Sequence, residues 1–317
     1  DFGFVLNQAG YAYADIGEFD KAIRNFERYA AINPGQANPI DSLAELYFRQ
    51  GNFDAAKAKY QEALEIRPDF SPSCWGLAYI YTFEENYAEA AHWLGEFIAR
   101  APTLFEKAEG LWLRAYYDYF IGRWDQSLAE FSTLSEQFEK AGATSALAGT
   151  NAIMGNLCDD RGEYDPARRA FQAFGDWGMK QDPSQQAFYA GWKSYALGWV
   201  DLMQRHLDAA RAKLREIEPV LPKLESDLQA ELVRRHHLLE AEILLAEGSP
   251  ERAIEAGKKI IPQDFAGMNI GNSPTYNMPF VNDVLARAYW KKGDLDRAVA
   301  EYEKLTTIDL KSQVHYL

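Results

Sequence analysis

The sequence predicts an all-α solenoid of about eight helix-turn-helix units, and three observations carry that expectation. The stretch from Ala37 to Phe70 reads as a helix, a glycine turn, a second helix and a proline stop within thirty-four residues. Small residues recur at two fixed places in this frame along nearly the whole chain. A bulky residue recurs at a third. Recurrence of this kind marks a repeat array, in which each unit buries its apolar faces against its neighbours.

Counting the Ala37 unit from one to thirty-four, each marked position has a mechanical reason. Position eight recurs as Gly10, Ala44, Ala78, Ala115, Gly155, Gly198, Ala241 and Ala286. Position twenty recurs as Ala22, Ala56, Ala90, Ser127, Ala167, Ala210, Ala253 and Ala298. These are small because two helices cross closely there. Position seventeen is Phe19, Phe53, Tyr87, Trp124, Tyr164, Leu207 and Leu295, with Pro250 the exception. Gly51 supplies the positive φ of the turn. Asp54 places a carboxylate in the first turn of the second helix, where the helix dipole favours it. Pro68 ends that helix, as Pro34 and Pro102 do in the flanking units.

The pattern resembles the tetratricopeptide repeat family, and the resemblance covers nearly the whole chain. It implies a right-handed superhelix in a single array over residues 1–317. Regular repeats are expected at 3–36, 37–70 and 71–104, longer ones at about 108–147, 148–190, 191–233 and 234–278, and a last one at 279–312. The extra residues fall around Glu139–Ser145, Lys180–Gln186, Leu221–Leu228 and Pro262–Met278, the last making a loop insert at 262–278. Repeat six has Arg205 where the turn glycine belongs. Repeat seven has Gly257 where a large apolar residue should pack, and its Pro250 reads as the first helical residue after a Ser249 cap. Leu228–Glu247 reads as one long helix.

Composition narrows the function classes. No apolar run approaches the length of a bilayer span, so membrane insertion is not expected. A formal charge of −14 repels phosphate backbones and argues against nucleic acid. Cys74 and Cys158 each fall inside a predicted helix of a different repeat and read as buried free thiols, which fits the cytoplasm. The opening DFGFVLNQAG lacks an initiator Met and a signal pattern, and reads as a fragment or mature form.

No phosphate loop, nucleophile elbow, cysteine metal cluster or dinucleotide fingerprint is present, so an enzyme is not expected. His236 and Glu240 are one helical turn apart, a spacing a metal could use, but no further ligand is evident nearby in sequence. No metal and no cofactor are therefore expected. Asp159 and Asp160 read as a charged helix end.

The resemblance places positions two, five, nine, twelve and thirteen of each repeat on the concave face. These include an aromatic set, Tyr11, Phe48, Trp75, Tyr79, Phe83, Trp112, Tyr116, Tyr119, Trp192, Tyr195, Trp199 and Trp290, which is expected to line a partner-binding groove. Phe4, Phe120 and Phe280 stand at such positions too. Among the rings lie Asp15, Asp41, Glu45 and Glu109, against Arg49, Arg235, Arg287 and Lys291. Asn7 is the one remnant of the carboxylate clamp of chaperone-tail binders, so an acidic chaperone tail is not the expected ligand. The expected function is a non-catalytic scaffold that holds a protein or peptide segment, basic or aromatic-rich, in this groove. The alternative is a ligand-sensing domain of a larger bacterial signalling protein, with a small molecule or sugar stacked on the rings. The C-terminal edge at Leu295, Val299 and Tyr302 is expected to be covered by further chain or by self-association.

Overall fold

The computed structural model describes residues 2–260, 263–264, 283–306 and 314–315. Sixteen α-helices occupy the described residues, in two compact units. The first unit holds α1 (Phe2–Asp15), α2 (Phe19–Ile32), α3 (Ala37–Arg49), α4 (Phe53–Ile66), α5 (Ser71–Phe83), α6 (Tyr87–Arg100) and α7 (Leu104–Phe120). The second holds α8 (Trp124–Ala141), α9 (Thr144–Asp160), α10 (Tyr164–Gln181), α11 (Gln186–Met203) and α12 (Leu207–Ile217). It continues with α13 (Ser226–Ala246), α14 (Pro250–Gly257), α15 (Val284–Lys292) and α16 (Leu295–Thr306). Within each unit a helix packs mainly on its sequence neighbours, the pattern of a solenoid. No helix among the described residues is long and apolar enough to cross a membrane.

The repeat frame sets the local geometry. Every second helix begins on its position-seventeen residue, Phe19, Phe53, Tyr87, Trp124, Tyr164, Leu207, Pro250 and Leu295. The residues at positions eight and twenty are buried in all of the repeats. A Cβ on Gly10 would stand 2.4 Å from the Phe26 ring, and one on Gly155 would stand 2.4 Å from Phe171. Glycine at these two places leaves room for an aromatic ring of the second helix against the first. Cys74 and Cys158 are buried and free, and burial pushes the Cys74 thiol up to about 11.

The turn between paired helices closes with a left-handed residue. Gly17, Gly51, Gly122, Gly162, Gly248 and Gly293 take positive φ there, and so do Glu85 (φ 56°) and Arg205 (φ 63°). The following N–H then reaches back five residues, as in Asn52 to the Tyr47 carbonyl at 2.9 Å and His206 to the Asp201 carbonyl at 2.8 Å. This is the helix-ending arrangement that glycine favours. Arg205 stands out in the sequence as a departure from the turn glycine, and Glu85 occupies the same position of its own, otherwise regular, repeat. An L-residue in this region costs roughly 1–2 kcal/mol. Glu85→Gly is accordingly expected to stabilise the first unit by about 1 kcal/mol, read as a higher denaturation midpoint, and an unchanged or lower midpoint would refute it.

The longer repeats absorb their extra residues in two ways. α8 and α10 run to 18 residues where α2, α4 and α6 have 14. Short 3-10 turns at Pro183–Gln185 and Leu221–Lys223 take up the remainder. The long helix expected at Leu228–Glu247 is α13. Pro250 opens α14 as expected, but the Ser249 side chain makes no capping hydrogen bond. Gly257 ends α14, and Leu285 fills the space beside it, 3.2 Å from where a Cβ would stand. Apart from Gln263 and Asp264, the insert expected at 262–278 lies outside the described residues. At the C-terminal edge Leu295 and Val299 are exposed and Tyr302 is half-buried.

Candidate functional site

The aromatic set divides on burial. Phe48, Trp75, Tyr79 and Tyr116 are buried, the last only 1% exposed. These four are corrections to the expected groove lining, and the reason is ring-on-ring packing. Trp75 stacks on Tyr79 at 5.6 Å, and Phe48 meets Phe83 edge-on at 5.5 Å. Tyr116 stacks on Trp112 at 5.3 Å. Rings one turn apart on a helix, or on adjacent first helices, are large enough to close on one another. Tyr11, Phe83, Trp112, Tyr119, Trp192, Tyr195 and Trp199 are half-buried. Trp192 lies 4.4 Å from Phe174, and the Arg235 guanidinium sits over Tyr195 at 5.2 Å. Trp290, by contrast, is 63% exposed.

In the first unit the polar members of the concave stripe are engaged with one another. The Tyr11 hydroxyl donates to Glu45 Oε2 at 2.9 Å, and Ser42 donates to Asn7 Oδ1 at 3.0 Å. Arg49 bridges Asp15 Oδ1 and Glu45 Oε1, both at 2.9 Å. Ser73 donates to Asp41 Oδ1 at 2.6 Å. Asp41 is buried, and its pKa is raised to about 7, mainly by that burial. Nearby Glu45 adds to the rise, while the Ser73 bond opposes it. The one clamp remnant, Asn7, is spent inside this network.

The second unit offers an open cleft of about 510 Å³. Its lining is Leu202 and Met203 from α11, Arg205 from the following turn, Glu242, Leu245 and Ala246 from α13, and Arg287, Trp290 and Lys291 from α15. In the repeat frame these are positions nine, twelve and thirteen of successive first helices, with Arg205 at fifteen. Of the twelve expected groove residues, only Trp290 lines this cleft.

Charge in the cleft is unevenly distributed. Glu242 is buried and forms a two-pronged pair with Arg287, one arm measuring 3.2 Å. Burial raises the Glu242 pKa, and the Arg287 bonds work against that rise. Arg287 also donates to Asp283 at 2.7 Å, which anchors its guanidinium from outside the lining. Lys291 donates to the Leu245 carbonyl at 3.4 Å. The result is an apolar floor of Leu202, Leu245 and Ala246, an exposed indole, and a rim on which Arg205 and Lys291 stand beside the ion-paired Glu242 and Arg287. Such a surface can take an apolar or aromatic side chain and hydrogen-bond to the acceptors beside it. The sequence placed Arg287 and Lys291 on the stripe, and the frame puts Leu202, Met203, Leu245 and Ala246 at concave positions twelve and thirteen too, but nothing in their side chains singled them out beside the aromatic set.

Helical repeats that present a concave strip of side chains define a class of interaction scaffold. The tetratricopeptide repeat models match residues 5–36, 40–70 and 282–312. A tetratricopeptide repeat protein from Parabacteroides merdae superposes with a TM-score of 0.59 at 20% identity, over 90% of this chain and 98% of that one. The apo form of RapI superposes with a TM-score of 0.56 at 12% identity, over 87% and 98% of the two chains. The photosystem I assembly protein Ycf3 of Rippkaea orientalis is 28% identical over 94 residues, 30% of this chain. The chain spans about half the length of that curated relative, 53%. The chain thus carries tetratricopeptide repeats on an α-solenoid fold, and repeats of this family serve in general as protein-interaction scaffolds.

Proposed function

We propose that the chain, read as one array of eight repeats, is a non-catalytic scaffold that holds an extended protein segment, with the α11–α13–α15 cleft as its principal contact. The observation that carries this reading is the cleft itself. Concave positions of three successive first helices converge on one opening with an exposed Trp290 at its edge. An indole free to be covered supplies a large contact area at low entropic cost. The cationic rim favours a segment with an apolar or aromatic anchor next to a carbonyl or carboxylate, and disfavours a basic one. Self-association through Leu295 and Val299 of α16 belongs to the same reading, since both are exposed apolar residues.

The sensor reading keeps one supporting observation: a cleft of about 510 Å³ is in the size range of small-ligand sites. Selection of a random peptide library on the full chain, paired with Trp290→Ala, tests the scaffold. Peptides sharing an apolar anchor should be enriched, and Trp290→Ala should weaken them at least tenfold, about 1.4 kcal/mol. The thermal midpoint should hardly move, because the ring is mostly exposed. No enriched family, or affinities indifferent to Trp290, would sink the proposal.

A further inference from the structure

A second constellation lies on α13, and it is absent from the cleft lining. His236, His237 and Glu240 each present one ligating atom, and the three atoms lie within 4.8 Å of one another. The sequence suggested only the His236 and Glu240 pair; the fold adds two more groups. His237 Nδ1 stands 3.4 Å from Glu240 Oε2. Glu218, just beyond α12, brings Oε1 to 3.8 Å from His236 Nε2. Offsets of three and four residues put Glu240 one turn from both histidines, so its carboxylate can reach between the two rings.

A second, independent observation concerns His236. It is 9% exposed, and its Nε2 is buried without a hydrogen-bond partner. The Glu218 oxygen at 3.8 Å is too far to satisfy it. A buried polar atom left unpaired is destabilising, so an occupant that bonds this nitrogen would relieve that cost.

We propose that His236, His237 and Glu240, with Glu218 as the fourth ligand, bind one divalent transition-metal ion of the zinc type. Two imidazoles and two carboxylates are a borderline-soft donor set that suits zinc better than magnesium or calcium. Metal–ligand bonds of about 2.0–2.1 Å set tetrahedral donors roughly 3.3 Å apart, so the three α13 atoms must close in by up to about 1.5 Å and Glu218 must swing in from its place beside His236. His236 is held by its burial, whereas His237, Glu240 and Glu218 keep 21%, 31% and 60% of their side-chain surface and can turn toward it. The ion would join the end of α12 to the middle of α13 as a structural clasp.

Calorimetric titration of the full chain with zinc chloride in chelator-free buffer tests this site. One ion per chain is expected, with Kd tighter than about 100 μM. His237→Gln and Glu240→Gln should each weaken it at least tenfold and His92→Gln should not. Both test positions are partly exposed, so their variants should keep the wild-type circular dichroism. Zinc should also raise the thermal midpoint of the wild type but not of the His237→Gln, Glu240→Gln double variant. Binding weaker than about 100 μM, or wild-type binding by the double variant, would overturn the proposal.

Discussion

Tyr116→Ala is expected to cost the chain roughly 3–5 kcal/mol of folding stability, the range for emptying a buried aromatic site. The ring is 1% exposed and stacked on Trp112 at 5.3 Å, and Tyr119 approaches it at 6.2 Å. Burial raises the Tyr116 pKa, and its hydroxyl has no hydrogen-bond partner among the described residues. That hydroxyl makes the experiment sharper. Tyr116→Phe keeps the packing and removes an unpaired polar atom, so it should be neutral or stabilising by about 1 kcal/mol. Trp112→Ala removes a half-buried ring and should fall between the two. Hydrogen exchange at the α7 amides reads the effect locally, which matters because two compact units need not unfold together. A Tyr116→Ala chain within about 1 kcal/mol of wild type would return this ring to the list of partner contacts.

Asp41→Asn should change how the first unit responds to pH. The folded pKa of Asp41 is raised from 3.8 to about 7. Between those values the native state therefore holds a proton that the unfolded chain has released. Stability from this group is complete below about pH 4 and is lost as pH rises through about 7. A shift of this size corresponds to a few kcal/mol, on the order of 4 at most. Asparagine keeps an oxygen to accept from Ser73 and cannot ionise. The variant should thus be more stable than wild type at about pH 8 and lose that advantage by about pH 4. Exchange protection in α3 measured at both pH values gives the comparison. A wild-type minus variant difference that stays flat with pH would show that Asp41 titrates in the ordinary carboxylate range.

The architecture was legible because its constraints are local and strict. Two helix backbones can approach only where side chains are small, so Gly10, Ala44, Ala22 and Ala56 announce the frame without help from the rest of the chain. The turn was legible where glycine marks it and hidden at Glu85, because an L-residue can be forced into the same conformation by the helices on either side. Ring orientation was not legible at all. Whether Trp75 lines a groove or closes on Tyr79 depends on rotamers and on the neighbouring helix, which periodicity does not encode. The α13 cluster shows the same limit. His236 and Glu240 share a visible helical spacing, but Glu218 arrives from the end of another helix, and the burial of His236 is a tertiary fact.

Arg205 sits at the lip of the cleft in a backbone conformation that glycine would hold more cheaply. On the proposed reading of the cleft, two opposed selective gradients meet in that codon. A population selected only for heat tolerance should drift to glycine at both 85 and 205, since each exchange relieves the same kind of backbone cost. If the cleft is what the cell uses, the second of those changes removes a rim cation along with the strain, and lineages that keep the partner should fix the first and reject the second. The divergence of two positions with the same backbone conformation under one regime would then report which of them has a purpose beyond folding.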